Sequence, residues 1–153
     1  MANRVYMIRD FKELLSIFNE NGVKYLIVSG YAVMKYTEPR FTKDLDIWVE
    51  ASADNAKKVF HSLKTFGAPL KGLSEADFSE TGFYQMGQPP VRIDILMEID
   101  GVTFDDAWKN RMQADFAAVP AHFIGISDLI INKKTAGRLQ DLADVEKLEL
   151  NLP

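Results

Sequence analysis

The sequence predicts an α/β (α+β) fold: a mixed β-sheet flanked by helices, closing in a helical C-terminal portion. Three observations lead there. Hydrophobic periodicity alternates between helical and strand spacing along the first hundred residues, the short apolar runs stop at turn residues, and the last third keeps helical spacing. At 153 residues and 47% hydrophobic content the chain is long enough to bury a substantial core, which suggests one domain over 1–153.

Asp10 to Gly22 reads as a helix, with Asp10 and Glu13 at capping-box spacing, Phe11, Leu14, Leu15 and Phe18 on one face, and Asn21-Gly22 as the stop. Val23 to Val28 is a short apolar strand that ends at Ser29-Gly30, before a helix-like stretch from Tyr31 to Tyr36. Thr37 to Lys43, with Pro39, is a loop. Asp44 to Glu50 then alternates polar residues with Leu45, Ile47 and Val49, as a half-buried strand does. Ala53 to Phe66 has helical spacing at Ala56, Val59, Phe60 and Leu63 and ends near Gly67.

From Leu70 to Pro90 the chain is broken by glycines and by Pro89-Pro90, with a brief strand at Phe83 to Met86. Val91 to Met97 is a clear strand, placing Ile93 and Ile95 on one face and Arg92 and Asp94 on the other. A turn at Ile99-Asp100-Gly101 leads to a helix capped by Thr103 and running to about Met112, and Phe116 to Ile124 is extended around Pro120. Ser127-Asp128 caps a helix to Ala136, Gly137 interrupts, and Leu142, Val145 and Leu148 set a last helix on the core. This order suggests helices on one side of the sheet.

Composition narrows the chemistry. The absence of Cys excludes disulfides, thiolate zinc sites and a cysteine nucleophile. A net charge of −4 argues against a broad nucleic-acid surface, although local basic patches remain open. Met1 to Tyr6 leads into a charged helix rather than an apolar leader, and no apolar run approaches the roughly 18 residues of a membrane span, so a cytoplasmic location is expected.

Within this pattern three acids stand where strands disfavour them. Asp44 and Asp46 are two apart on one strand, so their carboxylates project from the same face within about 7 Å. Asp94 sits between Ile93 and Ile95 on another apolar strand. Each acid alone has an ordinary account: Asp44 as a turn residue, Asp46 paired with Arg40 or Lys43, Asp94 paired with Arg92. Together they suggest a divalent cation, and all-oxygen ligands favour Mg²⁺ or Mn²⁺. His61 and His122 have no metal-ligand spacing, which makes a phosphohydrolase site unlike this one. The strand-to-helix turn at Ser29-Gly30 complements the acids, because unpaired N–H groups at a helix start suit phosphate; many α/β proteins have such turns for steric reasons alone.

Val28-Ser29-Gly30, thirteen intervening residues, then Asp44-Leu45-Asp46-Ile47 resembles the signature of the polymerase-beta-like nucleotidyltransferase superfamily. The fuller run from Gly30 to Val49, with Arg92-Ile93-Asp94-Ile95-Leu96, is similar to a small bacterial group related to AbiEii-type toxin nucleotidyltransferases. Lys133, Ala136, Arg138, Asp141, Leu142 and Asp144 resemble that group's late motif. The likeness departs at Ser29, where most members have Gly, and in a spacer at the long end of the usual range.

The resemblance implies a nucleotidyltransferase-like sheet and transfer of a nucleoside monophosphate from a nucleoside triphosphate to an acceptor hydroxyl. Asp44, Asp46 and Asp94 would be the catalytic and metal-binding residues, with Ser29 and Gly30 holding phosphates. Arg40, Lys43, Lys133, Lys134 and Arg138 are candidate phosphate ligands, and equally candidates for loop support or solvated surface. Asp141 and Asp144, at i, i+3, read as partners of nearby basic side chains. RNA, a protein or a small molecule are the candidate acceptors, and a toxin–antitoxin setting would add an antitoxin-like protein partner. The alternative is a non-catalytic nucleotide- or partner-binding regulatory module of the same fold.

Overall fold

A computed structural model describes residues 2–88 and 91–153, with side chains from residue 8 onward. Pro89 and Pro90, read above as breaks, lie outside the described residues. Among these residues six strands form one mixed sheet in the order β3-β4-β2-β1-β6-β5. The strands are β1 (Tyr25–Val28), β2 (Asp44–Val49), β3 (Phe83–Gln88), β4 (Val91–Leu96), β5 (Met112–Phe116) and β6 (Val119–Phe123). The helices are α1 (Ala2–Glu20), α2 (Ser29–Tyr36), α3 (Ala53–Phe66), α4 (Phe104–Lys109), α5 (Ile126–Ala136) and α6 (Leu139–Glu149), with a 3₁₀ turn at Glu75–Ser79. β2 runs parallel to β4, and β1 runs parallel to β6 through the single pair Ile27 and Phe123.

Helices cover both faces of the sheet, which corrects the one-sided arrangement. All four residues of β1 are buried, as a strand sandwiched between layers requires. Tyr25, Ile27, Leu45, Ile47, Ile93 and Ile95 pack with Phe11, Leu14 and Phe18 of α1 and Val59 and Leu63 of α3. Leu26, Val28 and Trp48 point the other way, into Ala32, Val33, Leu129, Val145 and Leu148 of α2, α5 and α6. Trp48 stands edge-on to Phe104 of α4 at 5.1 Å. The acids alternate with Leu45 and Ile47, so period-2 geometry puts them on this second face.

Four local expectations change. α1 runs back to Ala2, placing Asp10 mid-helix, so Asp10 and Glu13 form no capping box. α4 stops at Lys109, and Met112 opens a strand instead of ending a helix. That strand, β5, pairs with β6 in a hairpin where one extended segment had been expected. Finally, α5 starts at Ile126 with Gly125 as its cap and no side-chain capping bond, and Leu142 of α6 is largely exposed while Val145 and Leu148 are buried. Ala53–Phe66 matches its sequence reading at both ends, with the Ser52 side chain capping Asn55 N–H and Gly67 closing it in the left-handed region.

Candidate active site

The turn from β1 into α2 divides its work between two residues. Ser29 takes φ +58°, a left-handed conformation that favours glycine, and the helix begins there rather than at Tyr31. Gly30 supplies space: a Cβ there would stand 2.9 Å from Thr42 Oγ1 and 3.7 Å from an Arg40 guanidinium nitrogen. The bare face of Gly30 is thus taken by the loop before β2. No side chain caps α2, so its first N–H groups have no capping side chain of the protein.

Strand register assembles the acids. Asp46 lies opposite Val28 of β1 on one side and opposite Asp94 of β4 on the other. Adjacent strands are about 4.8 Å apart, so the Asp46 and Asp94 carboxylates are neighbours on one face. Asp44 lies opposite Arg92. The Arg92 Nε stands 3.4 Å from Asp94 Oδ1 and 3.9 Å from Asp44 Oδ2. Asp94 therefore does pair with Arg92, and Asp44 shares that cation. Asp46 pairs with neither Arg40 nor Lys43: its Oδ1 is buried and has no hydrogen-bond partner.

Burial, joined by the charges of Asp94 and Asp44, pushes the Asp46 carboxyl up to about 6, with the Ser29 hydroxyl opposing the shift. The hydrogen bond to Asp94 raises the pKa of Arg92. An orphaned carboxylate oxygen amid like charge is what a divalent cation would satisfy. Among the described residues, no group of three or more His, Asp or Glu side chains is arranged to hold a metal ion. Arg92 supplies the positive charge between Asp44 and Asp94.

A cleft of about 420 Å³ is lined by Val28 and Ser29, by Phe83 and Leu96, and by Lys133 and Arg138 together with Glu98, Asp100 and Asp141; it reaches the Ser29 turn, but none of Asp44, Asp46 and Asp94 lines it. Lys133 is buried and binds Asp141 Oδ1 at 3.3 Å and Asp144 Oδ2 at 3.2 Å. Arg138 donates from Nε to Asp141 Oδ2 at 2.7 Å, with most of its side chain exposed. Arg40 donates to both carboxylate oxygens of Asp144. Lys134 points outward, 3.9 Å from Glu149, and Lys43 is exposed. The expected pairing of Asp141 and Asp144 is present. Burial opposes their ionisation, but the bonds from Arg138 to Asp141 and from Arg40 and Gln140 to Asp144, aided by Lys133, hold both carboxyls below the usual range.

Sequence reasoning passed over Gln85 and Phe83. Gln85 lies opposite Asp94 on the edge strand, and Phe83, two residues away on the same face, is 66% exposed beside the cleft. Both lie inside the strand read at Phe83 to Met86, so the period-2 rule puts them on one face; their position opposite Leu96 and Asp94 comes from the β3–β4 pairing, which the sequence did not show. A larger cavity of about 970 Å³ opens at the opposite end of β1, around Lys24, Trp108 and His122. Among the described residues that line it, Asp115 is the only carboxylate, so they offer no acid pair.

With this geometry in place the comparisons are informative. Residues 5–151 match the family described as "Nucleotidyltransferase of unknown function (DUF6036)", and the chain belongs to that family. Its fold is that of solved nucleotidyltransferases. The antibiotic-resistance factor ANT(2'')-Ia superposes with a TM-score of 0.65 at 11% identity, over 97% of this chain and 85% of that one. The lincosamide antibiotic adenylyltransferase LnuA, solved with lincomycin bound, gives 0.60 at 15% identity, over 94% and 97%. A Thermotoga maritima protein proposed to be a nucleotidyltransferase gives 0.63 at 12% identity, over 97% and 96%. No curated protein matches the chain in sequence. No described helix is long and apolar enough to cross a membrane.

Proposed function

We propose that the chain, acting as one domain over 1–153, is a metal-dependent nucleotidyltransferase that moves a nucleoside monophosphate from a triphosphate to an acceptor hydroxyl. The observation that carries this is the buried, unpartnered Asp46 Oδ1, set between Asp94 and the uncapped start of α2. Asp44, Asp46 and Asp94 would hold Mg²⁺ or Mn²⁺, with Arg92 swinging away from the acids. Bound ions supply Lewis-acid stabilisation of the charge that develops on the phosphoryl oxygens.

The order of groups across the sheet gives the reaction a direction. Ser29, at the end of β1, and the first N–H groups of α2 receive the triphosphate, and Arg138, bonded to both Asp141 oxygens yet largely exposed, neutralises the leaving pyrophosphate. In-line displacement requires the attacking and leaving oxygens on opposite sides of the α-phosphorus. The acceptor therefore approaches over β4 and β3, past Asp94, Gln85 and Phe83. Asp94 takes the hydroxyl proton as the new P–O bond forms and the bond to pyrophosphate breaks.

The acceptor is RNA, a protein or a small molecule; we retain the toxin–antitoxin setting and its antitoxin-like partner on the AbiEii-type resemblance alone, and a cytoplasmic location on the absence of Cys. One structural neighbour was solved with lincomycin bound, which supports including small molecules among the acceptors to test. One observation favours the non-catalytic alternative. Arg92 already neutralises Asp44 and Asp94, as it would in a module that binds a nucleotide or a protein without turnover.

Titration calorimetry with a non-hydrolysable triphosphate, with and without Mg²⁺, tests the metal site. Binding that needs Mg²⁺ and is lost in a folded Asp46→Asn variant is expected. Equal binding by the two proteins, or binding indifferent to Mg²⁺, contradicts the reading.

A further inference from the structure

The loop from Thr37 to Lys43 has no regular structure, yet it must hold position. It packs over the Cα of Gly30 at the phosphate turn and delivers the chain into Asp44. Helix α6 grips it at two points. Arg40 forks onto Asp144, whose side chain is fully buried, and Glu38 meets Lys147 at 3.4 Å. The Arg40 N–H also donates to Met34 Sδ at 3.2 Å. Asp144 is held in turn by Gln140 Nε2 at 3.0 Å and by Lys133 at 3.2 Å. A carboxylate so enclosed has no freedom to follow a ligand, and a two-pronged guanidinium contact fixes orientation as well as distance.

We propose that Asp144 is a positioning residue: through Arg40 it clasps the loop before β2, and so sets the spacing between the Ser29-Gly30 turn and Asp44. Arg40 is then a strut and not a phosphate ligand, and Lys133 is the buried counter-ion of the clasp. This rests on the nucleotidyltransferase reading for what the spacing is for, but the clasp itself can be measured without nucleotide.

The two roles for Arg40 make opposite predictions for Asp144→Asn. If Arg40 binds phosphate, removing the Asp144 charge frees the guanidinium and leaves triphosphate binding unchanged or tighter. If Arg40 is a strut, Asp144→Asn and Arg40→Met both weaken binding, and the double variant is no worse than Asp144→Asn alone, because both substitutions break the Arg40–Asp144 contact. Amide exchange of the ligand-free protein reports the clasp directly. Residues 38–44 are expected to exchange at least tenfold faster in both variants, while β1 and α3 keep wild-type protection.

Arg40 sits on a loop and is partly exposed, so Arg40→Met keeps the test open if Asp144→Asn fails to fold. Arg40→Lys, which retains the charge without the fork, is expected to restore protection only in part. Unchanged exchange over 38–44 in Arg40→Met overturns the proposal, as does tighter triphosphate binding by Asp144→Asn. Faster exchange in a protein whose wild type binds no triphosphate upholds the clasp and removes the nucleotidyltransferase reading.

Discussion

At Asp46 the folded chain holds a proton more tightly than the unfolded one, since burial beside Asp94 and Asp44 moves its pKa from 3.8 to about 6. For an acid shifted this way, the contribution to stability is fully present below about 3.8 and is lost as pH rises through about 6. Above that, the ionised carboxylate costs on the order of 1–3 kcal/mol in metal-free protein. Asp46→Asn removes the cost. In EDTA, urea unfolding should show the variant more stable than wild type by that order at pH 8, with the gap closing below pH 5; a gap independent of pH would count against the unpaired burial of Asp46. Asp141 and Asp144 work in the opposite sense. Their lowered pKa values give stability that is present above the ordinary carboxylate range and lost as pH falls through the depressed values, so acid unfolding should begin at α6. The residue scale is also where the sequence was most legible. Period 2 was enough to bring Asp44 and Asp46 to one face, while Asp94 joins them only through the β2–β4 register. The same scale hid the partners: nothing in one dimension joins Arg40 to Asp144, 104 residues away.

Among the elements, the β5–β6 hairpin went unread for a physical reason. Its two-residue turn is Ala117-Ala118, at φ +49° and +72°, where asparagine and glycine are the usual occupants. Without that signal, the helix reads on to about Met112, residues 113–115 go unassigned, and the extended segment begins only at Phe116. Placing alanine in the left-handed region costs roughly 1 kcal/mol per residue, part of which glycine would return as unfolded-state entropy. The double change Ala117→Asn/Ala118→Gly is therefore expected to stabilise the protein by about 1 kcal/mol in thermal or urea unfolding. A loss of stability would show that the turn is held by contacts of the alanines themselves. By contrast, α3 was readable at both ends because Ser52 and Gly67 are local signals that tertiary context leaves in place. α1 was misread at its start because Asp10 and Glu13 carry the capping-box spacing inside a helix that began earlier.

For the whole molecule, the sheet order fixes what the site can do. With β1, β2, β4 and β3 side by side, the phosphate turn, the acids and the open edge strand form one line across a single face. The sequence foretold the members of that line but placed all helices on one side. It could not show that α5 and α6 leave a cleft beside Ser29, because that depends on which face each apolar stripe finds. In the proposed reading the phosphates lie at one end of this line and the acceptor at the other, and nucleotidyl transfer breaks the bond between the α- and β-phosphates. A radiolabel reports this bond most directly. The protein, Mg²⁺ and cell extract are incubated with nucleoside triphosphates labelled at the α- or the γ-phosphate. The account predicts that α-label passes to an acceptor, that γ-label leaves as pyrophosphate, and that neither occurs with Asp46→Asn. Transfer of γ-label to an acceptor by the wild type above the Asp46→Asn control, or equal α-labelled product from the two proteins, would contradict it.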